Sequence, residues 1–282
     1  PRYEAISLLS AISQRTERVK LGTACLVTST RNPLYLALEG ATLDRISNGR
    51  AILGACMGNP EQGVRREFAA LGLDYKKRAG IFEEGLQVLR ALWTDGEHFQ
   101  YEDVEFFSGT EMGPMMPAQA PPPIWVVSNI RLTGELESDV ARSRLERSCR
   151  RIVELGDGWM TCCRAEHPEE VVEQLGYLSQ AAEDAEIDIS GHAISYQVTM
   201  NIGDSREEAA DAFGNYISQY YPELSQKMDL SNWGPVGTPA DMIAWFEKFQ
   251  EVGVTHFICR FGDLDQFGQV ERFAKEVMPA FR

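Results

Sequence analysis

The chain has 282 residues, 44% of them apolar, enough to bury a large core and within the range that α/β barrels fill as one domain. Its formal charge of -15, spread over mixed-sign helical stretches, repels polyanions and excludes nucleic acid and anionic membrane surfaces as partners. No apolar run approaches the roughly 20 residues of a membrane span, and no charged-then-apolar leader opens the chain, so a cytoplasmic protein is expected.

In chain order, residues 1–16 space Ile6, Leu9, Ala11 and Ile12 at helical intervals and end in a polar run, which predicts an amphipathic helix. "RVKLGTACLV" (18–27) follows as an apolar strand. "NPLYLALEGATLDRIS" (32–47) is a helix, with Pro33 early and Asn48-Gly49 at its close. The alternation continues with strand 51–57 ("AILGACM"), helices over 61–72 and 76–93, strand 124–129 ("IWVVSN"), helix 142–156 and strand 158–163 ("GWMTCC"). After these come helix 168–185, strand 194–202 ("ISYQVTMNI"), helices 206–221 and 239–253, strand 255–261 ("THFICRF") and helix 268–281. Residues 98–123 alternate with period two and then turn rich in Pro, Gly and Met, which predicts a hairpin and an extended loop. Residues 222–239 form a second long connection. Long loops inside a regular α/β pattern are usually functional, often as lids.

The six strands read mostly as continuous apolar runs, the pattern of parallel strands buried on both faces between helices. An open doubly wound sheet would carry a GxGxxG turn, and none of "GTAC", "GACMGN" or "VVSN" is one. The expectation is therefore a barrel without a dinucleotide-binding domain. A barrel needs eight strands, so two are expected to precede residue 1. On that count residues 1–282 are a single barrel domain, incomplete at its N-terminal side, with insertions near 98–123 and 222–239.

Six cysteines lie mostly in strand-like runs without regular spacing, as expected of thiols in a reducing compartment. No HxH, HExxH or CxxC pair is present, so no metal site is expected. The adjacent Cys162 and Cys163 read as buried thiols at a strand end. Trp125 and Trp159 read as packing between sheet and helices.

The phrases "RTERVKLGTACLV", "RNPLYLALEGATLDRISNGRAILGACMGN", "EFAALGLDYKKRAGIFEEGLQVLRALW", "PPPIWVVSN", "RRIVELGDGWM" and "GTPADMIAWFEKFQEVGVTHFICRFG" run in order along nearly the whole chain. In them the chain resembles the bacterial luciferase-like flavin monooxygenases. The resemblance implies a TIM-type α/β barrel with insertions, whose first two strands this chain lacks, and a site at the C-terminal strand ends. Thr23, Ala24 and Cys25 match the strand that passes beneath the flavin ring, where small residues are needed. Cys56 matches a reactive cysteine of luciferases, but no neighbouring Lys, His or Arg offers to lower its pKa, so it reads as part of a cradle and not as a nucleophile. Met57 stands where the family has an arginine that meets the flavin phosphate. Gly58 permits close backbone approach, and Asn59 offers a donor and an acceptor to a flavin edge.

Beyond "IWVVSN" the family usually has a short Gly/Ser turn that binds the phosphate. Here a longer run leaves Ser128, Asn129, Arg131 and Thr133 as candidates. Thr161, Gln197 and Arg260 are the candidate substrate-pocket residues. Arg260, which closes an apolar strand, faces either the mouth or a structural ion pair with Asp263 or Asp265.

The function implied is a two-component monooxygenase. Reduced FMN arrives from a separate flavin reductase and, with O2, oxidises a small organic substrate under a cover formed by the long loops. Two rivals are a hydride-transfer oxidoreductase using the deazaflavin coenzyme, which the same family contains, and a flavin-binding protein without turnover. The resemblance also implies a homodimer or larger homo-oligomer, and it leaves the catalytic acid or base unassigned.

Overall fold

Helix α2 shows how local chemistry places the elements. Asn32 accepts hydrogen bonds from the Leu34 and Tyr35 N–H groups at 3.0 and 3.4 Å, and Pro33 occupies the first turn, where no N–H partner is needed. The computed structural model describes residues 3–59, 62–94, 98–101, 104–107, 117–128, 139–161, 167–222 and 234–282. Its elements begin α1 (Ala5–Ser13), β1 (Leu21–Gly22), β2 (Leu26–Val27), α2 (Pro33–Ile46), β3 (Ala51–Cys56), α3 (Gln62–Ala70), α4 (Arg78–Trp93), β4 (His98–Tyr101) and β5 (Val104–Phe107). They continue β6 (Ile124–Val127), α5 (Asp139–Leu155), β7 (Gly158–Thr161), α6 (Glu169–Ala185), β8 (Ala193–Ile202), α7 (Arg206–Tyr220), β9 (Val236–Gly237), α8 (Pro239–Glu251), β10 (His256–Phe261) and α9 (Gln266–Arg272).

Each expected helix and strand is present, with three local differences. The strand expected over 18–27 is two short strands, β1 and β2, with Thr23 between them still tied to β3 through its N–H on the Ile52 carbonyl at 3.3 Å and its hydroxyl on the Gly54 carbonyl at 2.9 Å. The helix expected over 268–281 ends at Arg272 and gives way to a π-helical turn over Phe273–Val277, followed by a 3-10 turn that holds Pro279. Proline has no N–H to continue an α-helix. Within the second long connection, β9 adds a short strand that was not expected.

The chain divides into two compact units, one of Pro1–Ser128, Arg147–Trp159 and Ala182–His192, the other of Asn129–Glu146, Met160–Ala181 and Ala193–Arg282. In the first, β1 and β2 both lie parallel on β3, and β3 lies parallel on β6. The antiparallel pair β4–β5 is the expected hairpin. Phe68, Phe82, Leu86, Leu89, Ile124, Ile152 and Trp159 are fully buried in this unit. Burying such side chains contributes about 1.5–3 kcal/mol each. Buried Asp44 ties residue 119 to β3: it accepts from the Gln119 N–H and amide at 2.7 Å each and from the Ala51 N–H at 3.2 Å.

In the second unit β10 and β9 each pair parallel with β8, with Ile258 opposite Gln197 and Arg260 opposite Thr199. Side chains alternate across a strand. Tyr196, Val198 and Met200 therefore join Phe257, Cys259 and Phe261 against Met242, Trp245, Phe246 and Phe249 of α8. Gln197, Thr199, Ile258 and Arg260 take the opposite face.

Candidate functional site

The candidate residues form two groups, each within one unit. In the first unit they lie between β1 and β2 and at the C-terminal ends of β3 and β6. Thr23 is buried, and its hydroxyl and N–H donate to the Gly54 and Ile52 carbonyls, so it ties the end of β1 to β3. Ala24 and Cys25, joined by a cis peptide bond, follow it as exposed small residues.

Across from them, at the end of β3, Cys56 is half-buried and its thiol lies below the ordinary cysteine range. The cause is a hydrogen bond with the Cys25 thiol, which outweighs burial and is reinforced by the Gly58 N–H. The residues adjacent in sequence gave no sign of this. The lowering comes from register, since β2 and β3 run parallel with Val27 opposite Cys56.

Met57 is half-buried, and Gly58 has φ +82°, where a Cβ would also come within 2.9 Å of Val64. Only glycine fits that backbone without strain. The Asn59 carbonyl accepts from the Tyr75 hydroxyl at 3.1 Å. The Arg65 and Arg78 guanidinium groups lie 4.6 and 4.2 Å from the Tyr75 ring centroid, cations close to the end of β3 that sequence reasoning missed. Their sequence signal is the basic character of residues 65–66 and 76–78 in an acidic chain. At the end of β6, the Ser128 carbonyl accepts from the Trp159 indole at 2.8 Å. Trp159 is fully buried and Trp125 nearly so, in keeping with their expected packing role. Asn129, Arg131, Thr133, Cys162 and Cys163 lie outside the described residues.

In the second unit Thr161 ends β7 and is buried, with its hydroxyl unpartnered among the described residues. Gln197 and Arg260 share one face of the β8–β10 pair. The ion pair entertained for Arg260 is not formed. Asp263 instead accepts from the Asn201 amide at 2.9 Å and the Asp265 N–H at 2.8 Å, and Asp265 caps α9 through the Gly268 N–H at 3.0 Å. Arg260 donates to the Tyr221 and Tyr216 hydroxyls, both at 2.8 Å, and sits 4.6 Å from the Tyr220 ring centroid. The tyrosines come from the end of α7 and the residue after it. Phenols accept from a guanidinium without neutralising it, so the positive charge is kept.

The first group offers a ledge of small exposed residues beside a glycine turn, which suits the face of a planar ring. Around Arg260 the second offers a cation and phenols, which suit an anionic or polar group, while the buried Thr161 hydroxyl stands separately at the end of β7.

The sequence model of the family described as luciferase-like monooxygenase matches residues 2–256. The chain is 20% identical to the F420-dependent glucose-6-phosphate dehydrogenase of Amycolatopsis mediterranei, over 99% of this chain and 84% of that protein. It is 23% identical to the oxygenase component of the flavin-dependent trigonelline monooxygenase of Acinetobacter baylyi, over 97% of this chain and 79% of that protein. Among solved structures, the monooxygenase RslO1 of Streptomyces bottropensis superposes with a TM-score of 0.77 at 21% identity, covering 99% of this chain and 83% of that one. The fold class is accordingly that of these parallel-strand α/β enzymes, the TIM-type barrel expected from the sequence.

Proposed function

The chain belongs to the luciferase-like monooxygenase family, and we propose that this oxidoreductase takes reduced FMN from a separate reductase and uses O2 to oxygenate a small organic substrate. The observation that carries the reading is the exposed Ala24–Cys25 ledge beside the end of β3, where small side chains leave room for a flat ring. Bound reduced FMN would supply the electron pair that activates oxygen.

The protein's part is positioning. Ala24 and Cys25 support the ring, and the glycine turn at Gly58 brings backbone close to its edge. Met57 carries no charge for a phosphate, so that role passes to Ser128, Asn129, Arg131 and Thr133. Thr161, Gln197 and Arg260 receive the polar end of the substrate, with the Arg260 charge and the Tyr216 and Tyr221 hydroxyls selecting a carboxylate-like or otherwise electron-rich group. The relative named as an oxygenase component supports a separate reductase. The stretches 98–123 and 222–239 are the proposed cover; residues 102–103, 108–116 and 223–233 of them lie outside the described residues.

A second reading, hydride transfer with the deazaflavin coenzyme, is supported by the F420-dependent dehydrogenase among the relatives. One experiment separates the two. The protein is mixed anaerobically with reduced FMN or reduced deazaflavin, binding is followed by fluorescence, and oxygen uptake is recorded after air is admitted with candidate substrates. Substrate-dependent uptake with FMN supports the first reading. Tight deazaflavin binding and substrate turnover without uptake replace it with the second, and binding without turnover of any substrate leaves a flavin-binding protein.

A further inference from the structure

Two thiols meet at the strand ends of the first unit. With Leu26 opposite Ala55 and Val27 opposite Cys56, the residue just before β2 lies diagonally beside the last residue of β3. There the Cys25 thiol hydrogen-bonds the Cys56 sulfur. Cys25 is exposed and Cys56 half-buried, so a small oxidant can reach the pair. The other described cysteines differ. Burial pushes the Cys149 thiol up to about 11 and the Cys259 thiol up to about 12, and thiols held protonated are poor nucleophiles. The Cys56 thiol is shifted the other way from Cys149 and Cys259, because hydrogen bonds from Cys25 and from the Gly58 N–H favour its thiolate over the opposing effect of burial.

We propose that Cys25 and Cys56 form a dithiol modification site, which hydrogen peroxide closes to a disulfide and a thiol reductant reopens. The Cys56 thiolate attacks one peroxide oxygen. The O–O bond breaks, leaving a sulfenic acid on Cys56 and a hydroxide that takes a proton to become water. The Cys25 sulfur then attacks the sulfenic sulfur. An S–S bond forms, the S–O bond breaks, and the hydroxyl departs with the Cys25 proton as a second water. The pair has lost two electrons, and one peroxide has been reduced to two waters. Peroxide is the by-product of any reduced flavin that meets oxygen without a substrate, so the pair stands where that oxidant would be released. Only this placement rests on the function proposed above.

The test is peptide mapping of the whole chain after peroxide treatment in thiol-free buffer. The expected product is a Cys25–Cys56 cross-linked peptide, lighter by two hydrogens and restored by dithiothreitol, with Cys149 and Cys259 still alkylatable. In Cys25→Ser the Cys56 sulfenic acid persists and is trapped by dimedone. In Cys56→Ser, peroxide modification of Cys25 falls about tenfold. Over-oxidation of Cys56 in the unaltered protein without the cross-link would overturn the assignment, as would two thiols that remain alkylatable after peroxide. Reduced FMN titrated into the oxidised protein separates the two claims: about tenfold weaker binding than in the reduced protein places the pair at the cofactor seat. Unchanged binding with the cross-link present leaves the dithiol in place and removes the ledge as that seat.

Discussion

Arg260 shows what can be read from one residue and what cannot. A charged side chain at the end of an apolar strand signals that something polar must meet it, and the sequence offers Asp263 and Asp265 as partners only three and five positions away along the chain. Asp263 is taken by the Asp265 N–H and the distant Asn201 amide, and Asp265 by the α9 cap, while the guanidinium reaches tyrosines about forty residues earlier in the chain. Long-range partners of this kind leave no spacing signal. The same holds for Cys56, whose influential neighbour is a cysteine one strand away. If Arg260 binds the polar end of the substrate, Arg260→Gln should raise KM about tenfold, the equivalent of 1.4 kcal/mol, while kcat changes less. Tyr220→Phe, which keeps the ring face and removes only a hydroxyl not bonded to Arg260, should leave both constants near those of the unaltered enzyme. A larger loss in kcat than in KM for Arg260→Gln would assign the residue to the chemical step instead.

At the scale of elements the sequence was most legible where apolar period and end signals agree. Residues 239–253 combine both. Pro239 opens α8, and Thr238 and Asp241 form a capping box: the Thr238 N–H and hydroxyl each donate to Asp241 at 2.8 Å, and the Asp241 N–H donates to Thr238 at 3.3 Å. The strand over 18–27 was less legible, because its continuous apolar run hides the break between β1 and β2. The cap has a pH signature. The Thr238 N–H, then its hydroxyl and Arg206, hold the Asp241 carboxyl below the usual carboxylate range. A depressed folded-state pKa stabilises above the unfolded value of about 4, and that stability is lost as pH falls through the folded value. Asp241→Ala should therefore lower stability by about 1 kcal/mol near neutral pH. Its unfolding midpoint should converge on that of the unaltered protein as pH drops below about 4. Curves that stay parallel down to acid would show that the carboxylate charge does nothing for the cap.

For the whole molecule, the parallel α/β class was legible because most strands are apolar throughout and because no GxGxxG turn was present, and the order of short phrases carried the family. The placement of individual site residues was less so, since the longer run after β6 replaces the usual turn and Met57 replaces a cation. Net charge is the other property that belongs to this scale. With 42 acidic and 27 basic residues, 15 carboxylates have no basic counterpart anywhere in the chain, so whatever ion pairs form, repulsion must remain. Pairs such as Arg90–Asp157 and Arg272–Asp204 are partly solvent-exposed and worth at most about 1 kcal/mol each. Raising ionic strength from about 10 to about 150 mM shortens the Debye length from about 30 to about 8 Å, screening long-range repulsion more than contact pairs at about 3 Å. The unfolding temperature at neutral pH should consequently rise by a few degrees over that range, on the order of 1 kcal/mol for a chain of this size. A fall with added NaCl would mean that the contact pairs outweigh the excess negative charge.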